Sequence, residues 1–176
     1  MTLNMTKLVL VMAMVATAFS FVGCKSKPKT WQGNIEVAPG PNLAGKLSGA
    51  TLDVDLVGVT DVEAAAWAGR DLNTYFAMNS GERADAHAKG TATPMLFGGG
   101  NGSSAKMLAS NDPIWKTWKE KKVTQLFVLA NSAAGTKMPN RFNMPLTTNR
   151  IKVSTFKIQV DSADIGNLSP IEPLKE

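Results

Sequence analysis

Thr51-Leu52-Asp53-Val54-Asp55-Leu56-Val57-Gly58-Val59 is the stretch that decides the fold. Leu52, Val54 and Leu56 alternate with Asp53 and Asp55. Successive side chains of a strand point to opposite faces, so this is a half-buried strand with its carboxylates turned to water. The same pattern recurs further along. In Ile151 to Val160, Phe156, Ile158 and Val160 take one face while Thr155, Lys157 and Gln159 take the other. Arg141-Phe142-Asn143-Met144-Pro145-Leu146 alternates too, with Phe142, Met144 and Leu146 inward, and Pro145 confines it to an edge or a strand end. Thr124-Gln125-Leu126-Phe127-Val128-Leu129-Ala130 is a continuous apolar run of strand length, suited to a central strand covered on both faces. Weaker strands are expected at Asn34–Val37, Thr91–Phe97 and Lys106–Ala109. Short strands separated by Gly, Pro and Asn turns predict a mainly β chain, an antiparallel β-sandwich of the transthyretin/Ig-like kind.

One to three short helices interrupt these strands. Thr60-Asp61-Val62-Glu63 has the spacing of a capping box, in which the Thr hydroxyl and the Glu carboxylate each take the other's backbone N–H. The helix behind it is expected to turn Val62, Ala66, Trp67, Leu72, Tyr75 and Phe76 inward, with a break near Gly69. Asn111-Asp112-Pro113 opens a second helix through Trp115 and Trp118 to about Lys122, its basic end suiting the helix dipole. Glu82 to Lys89 is a poorer third candidate.

The N-terminus carries a targeting signal. Lys7 supplies a positive n-region, and Leu8 to Phe21 is apolar apart from Thr17 and Ser20. That is signal-peptide length, short of the roughly 20 apolar residues of a membrane-spanning helix. Phe21-Val22-Gly23-Cys24 closes it and resembles the lipobox of bacterial lipoproteins. Cys24 is the only cysteine, so no intramolecular disulfide is possible, and lipidation explains a lone thiol in an exported chain. The expected organisation is a signal peptide over residues 1–23, an anchor and tether over 24–30, one sandwich domain over 31–168 and a flexible tail over 169–176. The mature 153 residues suffice for one core without a disulfide or metal. The lipid on Cys24 attaches the chain to a membrane, and Lys25 in place of Asp favours the outer membrane, facing the periplasm.

Loss of Lys7 leaves 18 basic against 14 acidic residues. This mild excess is spread along the chain. Its densest run, Lys116, Lys119, Lys121 and Lys122, is interleaved with Trp115 and Trp118, as on the solvated side of an amphipathic helix. Nucleic-acid binders cluster their charge more strongly, and an exported address makes nucleic acid no partner here. An anionic membrane surface or an acidic partner stays open.

No catalytic constellation stands out. His87, the single histidine, sits in the polar segment Asp85-Ala86-His87-Ala88-Lys89 and reads as solvent-exposed on a helix. Asp53 and Asp55 share a strand face, which alternation explains without chemistry. Gly98-Gly99-Gly100-Asn101-Gly102-Ser103-Ser104 lacks the Gly-Lys-Ser/Thr of a phosphate-binding loop and reads as a flexible connection. Trp31, Trp67, Trp115 and Trp118 read as core. The chain is therefore expected not to be an enzyme and to hold no metal and no cofactor beyond the acyl lipid on Cys24.

The order of elements resembles the outer-membrane lipoproteins of the type VI secretion system (TssJ/SciN-like). Asn34-Ile35-Glu36-Val37 matches their first strand, and Asn42-Leu43-Ala44-Gly45-Lys46-Leu47-Ser48 the loop after it. Leu52 to Val59 matches their next strand, Ala66 to Phe76 their helix, and Leu126–Ala130 with Ile151–Val160 their last strands. The resemblance implies a structural role: a lipoprotein under the outer membrane that binds an inner-membrane partner through its first inter-strand loop. Carried over, that loop offers Asn42, Leu43, Lys46 and Ser48. The alternative is a periplasmic ligand-binding module or small hydrolase, whose site would gather Asp53, Asp55, His87 and the Gly98–Gly102 loop in a deep pocket.

Overall fold

A computed structural model of the chain describes residues 29–135 and 137–173. The expected signal peptide, Cys24 and residues 25–28 lie outside the described residues. Among the described residues eight strands form two four-stranded sheets. They are β1 (Asn34–Pro39), β2 (Thr51–Val59), β3 (Ala92–Gly98), β4 (Lys106–Leu108), β5 (Gln125–Ser132), β6 (Asn140–Pro145), β7 (Thr155–Val160) and β8 (Ile165–Asn167). One sheet has the order β4-β1-β7-β8 and the other β3-β2-β5-β6. The mainly β sandwich holds. It is not wholly antiparallel: β1 runs parallel to β7, with Ile35 beside Phe156 and Val37 beside Ile158.

The apolar face of β2 does what its alternation demands. Leu52, Val54 and Leu56 meet Ile35, Val37, Phe156 and Ile158 in the space between the sheets, all fully buried or nearly so. Both prolines within the second sheet, Pro94 in β3 and Pro145 in β6, lie on its edge strands, where a missing N–H costs no ladder bond. Trp31, Trp115 and Trp118 plug one side of this core, with Trp115 edge-on to both of the others. Gly58 is required here: a Cβ on it would lie 2.6 Å from the Trp118 ring.

Among the described residues there are five helices, more than the one to three expected: α1 (Pro41–Ala44), α2 (Asp61–Ala68), α3 (Leu72–Tyr75), α4 (Gly81–Ala88) and α5 (Ile114–Glu120). The capping box at Thr60 forms, and the break falls at Gly69, which caps α2. The inward face of α2 differs from expectation. Val62 is 91% exposed and Ala66 is exposed as well, while Trp67 is buried with Ala64 partly so. The helix lies down on the i, i+3 pair Ala64 and Trp67, which turns the i, i+4 pair Val62 and Ala66 outward. In α5 the lysines are exposed and both tryptophans buried, as its amphipathic pattern requires.

Helices α2 to α4 cover the outer face of the second sheet. Trp67, Leu72, Tyr75 and Ala86 pack on Val57, Val59, Phe127 and Leu129, which accounts for the unbroken apolar run of β5. The C-terminal segment is less free than expected. Lys157 N–H donates to the buried Ser169 hydroxyl, Glu172 N–H donates to Arg150 carbonyl oxygen at 2.8 Å, and Ile171 packs on the core. Irregular bonds of this kind leave no periodic trace in a sequence with two prolines. The tether also ends early, since Thr30 already bridges to Thr147.

Candidate functional site

Asp53 and Asp55 stand on the face of β2 away from the sandwich core, as read from the sequence, but that face is not open water. Tyr75 at the end of α3 and Arg83 and His87 one turn apart on α4 lie over it. Asp55 is fully buried. Its Oδ2 accepts from Tyr75 OH at 2.7 Å and from Arg83 Nε at 2.9 Å, and lies 3.0 Å from His87 Nε2. Its Oδ1 accepts from Arg83 Nη2 at 3.0 Å, so the arginine grips the carboxylate with both arms. Arg83 Nη1 also reaches Asp53 at 3.4 Å, and its guanidinium lies over the Phe76 ring.

The electrostatics follow from this packing. Burial pushes the Asp55 carboxyl up, but the hydrogen bonds from Arg83 and Tyr75 and the Arg83 and His87 charges outweigh it and hold it below its ordinary value. Burial raises the Tyr75 phenol, and the adjoining Asp55 carboxylate raises it further. Burial works against the Arg83 cation too, yet its bonds and attraction to Asp55 leave its affinity for the proton raised. The cluster ties α3 and α4 to β2 through one carboxylate.

This corrects two expectations. Asp55 is not solvent-facing, and His87 is not a free surface histidine: its side chain is 29% exposed and in contact with Asp55. The structure thus brings Asp53, Asp55 and His87 together. It does not bring the glycine loop to them. Gly98 pairs with Thr51, four residues along β2 from Asp55, about 13 Å at strand rise. Two clefts on the surface are lined by other residues. With Tyr75, both arms of Arg83 and His87 around it, Asp55 has its oxygens committed to the chain's own groups. Among the described residues no group of three or more His, Cys, Asp or Glu side chains could hold a metal ion.

The loop between β1 and β2 carries the other candidates. Leu43, one of the residues offered for partner contact, is fully buried. Together with buried Leu47 it pins the crossover between the two sheets, while Asn42, Lys46 and Ser48 stay exposed. The Asn42 side-chain amide donates to Asp161 Oδ2 at 3.0 Å. The glycine loop runs against this one: a Cβ at Gly98, whose φ is +71°, would meet the Ala50 carbonyl oxygen at 2.2 Å. Gly98 is therefore required by the left-handed turn and by close backbone approach.

Sequence reasoning missed Arg141. From edge strand β6 it donates to the Trp67 and Ala68 carbonyls and, at 2.5 Å, to that of Arg70. A cation there satisfies the orphan carbonyls at the end of α2. Only the polar side of β6 hinted at it. Missed as well was a cleft of about 1200 Å³ at the opposite end of β2 from the crossover loop, where Lys29, Lys119, Lys121 and Lys122 gather.

No protein-family model matches the chain, and no curated protein matches it. Solved structures do. The T6SS lipoprotein TssJ1 from Pseudomonas aeruginosa shares 14% identity at a TM-score of 0.47, over 83% of this chain and 99% of that one. Serratia marcescens Lip, a membrane bound component of the Type VI Secretion System, shares 8% at 0.48, over 81% and 99%. A chain of a type VI membrane complex shares 12% at 0.47, over 81% and 99%. The likeness is one of fold.

Proposed function

We propose that this chain is a lipoprotein of the bacterial envelope, held to the outer membrane through a lipid on Cys24, that serves as a structural component of a type VI secretion-like assembly by binding an inner-membrane partner. It is cleaved after residue 23, and its sandwich domain faces the periplasm. The observation that carries this reading is the crossover loop. Leu43 and Leu47 fix it in the core, so Asn42, Lys46 and Ser48 are presented on a backbone already ordered. A preordered loop loses little entropy on docking, which favours binding. Its single cation, Lys46, gives the contact an electrostatic sense. The signal sequence and Cys24 supply the address.

The test is a crosslinking pull-down from intact cells. The wild-type chain is expected to recover a large inner-membrane protein, Cys24→Ser to recover far less, and Lys46→Glu to lose it while staying anchored. If Lys46→Glu holds every envelope partner that the wild type holds, the loop assignment fails. A second reading, a ligand-binding module or small hydrolase, draws on the Asp55–His87 contact. The commitment of the Asp55 oxygens to Tyr75 and Arg83 weighs against it.

A further inference from the structure

The crossover loop and the lysine cleft lie at opposite ends of β2. The loop leads into Thr51, whereas the cleft is lined by Thr60, Asp61 and Val62, just beyond Val59. Nine residues of strand separate them, roughly 30 Å. The chain emerges from the fold at the cleft end: Thr30 Oγ1 donates to Val123 carbonyl oxygen, and Lys29 lines the cleft itself. Lys29 is only five residues after Cys24, a span of at most about 18 Å of extended chain. A lipid on Cys24 therefore brings this end of the sandwich nearest to the membrane.

The chemistry of that end suits an anionic bilayer. Lys29, Lys119, Lys121 and Lys122 are all exposed and face one carboxylate, Asp61. Asp61 Oδ1 accepts from Thr124 Oγ1 and Gln125 Nε2. Among the described residues none of the four lysines has an ion-pair partner, and Lys121 alone has a side-chain bond, to Lys89 carbonyl oxygen. Val62 stands out at the rim, an exposed apolar side chain beside cations, the mixture found on surfaces that rest in a headgroup layer.

We propose that this lysine cleft is a membrane-docking face that rests on anionic lipid phosphates and holds the domain upright, with the Asn42–Ser48 loop directed away from the bilayer. The inference rests on lipidation at Cys24. Each lysine near an anionic surface adds roughly fivefold to the attraction, and the attraction fades with salt within a Debye length of about 10 Å at 0.1 M.

The experiment uses the lipidated mature protein in phosphatidylcholine vesicles with or without phosphatidylglycerol, and reads amine labelling of each lysine by mass spectrometry. In phosphatidylglycerol vesicles Lys29, Lys119, Lys121 and Lys122 are expected to label several-fold more slowly than in phosphatidylcholine alone, with recovery in 0.5 M salt. Lys106, at the crossover-loop end of the fold against Phe97, serves as the unchanged reference. The Lys119→Glu/Lys122→Glu protein, its fold checked by thermal melting, is expected to stay anchored and lose the protection. Anchored protein with no protection, or with equal protection on neutral vesicles, overturns the inference while leaving the anchor intact. Failure of the wild type to partition with either vesicle defeats the Cys24 reading, and the docking face with it.

Discussion

Replacing Asp55 by Asn removes one charge at nearly constant volume from the centre of the buried cluster. In the native protein the carboxylate accepts from Tyr75 and twice from Arg83 and touches His87, at 2.7 to 3.0 Å. The Asn amide keeps one acceptor oxygen and turns an NH2 toward the guanidinium. Breaking a buried pair by removing one partner costs about 3–5 kcal/mol, because the other charge is left uncompensated. Arg83 retains 19% exposure and can recover some hydration, so the lower end applies, about 3 kcal/mol. For a domain of this size that is a fall in Tm of roughly 6–12 °C. Denaturant unfolding at pH 7 of Asp55→Asn, Arg83→Leu and the double variant measures it. The double variant is expected to lose little more than either single one, a coupling of about 2 kcal/mol or more. The pH dependence has a definite sign. The folded carboxyl titrates below its ordinary value of 3.8, so its stabilisation is whole above about pH 4. It is then lost as pH falls through the folded value, a component that the Asp55→Asn protein lacks. A loss under about 1 kcal/mol with additive singles would refute the view that this cluster fastens the helices. A gain in stability would instead mark it as a site kept at the expense of stability.

Two further changes probe the supports of the fold. Gly58→Ala drives a methyl into the Trp118 ring, 2.6 Å away, and is expected to cost about 1–3 kcal/mol with a change in tryptophan fluorescence. An unchanged midpoint would mean that β2 and α5 are not in close contact. Arg141→Ala strips the donors from the carbonyl end of α2, and about 1–2 kcal/mol should be lost, with faster amide exchange confined to residues 64–72. Uniform or unchanged exchange would remove Arg141 as the cap.

Much of the scaffold was legible because its signals are local. β2 forms over the nine residues read as a strand, and β7 buries Phe156, Ile158 and Val160 as its alternation requires. The capping box at Thr60 and the break at Gly69 are also written in adjacent residues. β8 was not legible: it has three residues, of which only Ile165 is apolar and buried. The direction of β1 against β7 escaped for another reason. Parallel and antiparallel partners bury the same face, so alternation within one strand does not specify its neighbour's direction.

By itself the sequence determined which face of each long strand is apolar and where α2 starts. It also determined that Asp53 and Asp55 point away from the core between the sheets. Only the tertiary structure decided what lies on that outer side. Tyr75, Arg83 and His87 come from helices 20 to 32 residues further along, and their packing over β2 turns an apparent solvent face into a buried ion cluster. Periodicity records which way a side chain points along its own strand; what covers it is set by residues distant in sequence, and only folding brings them there.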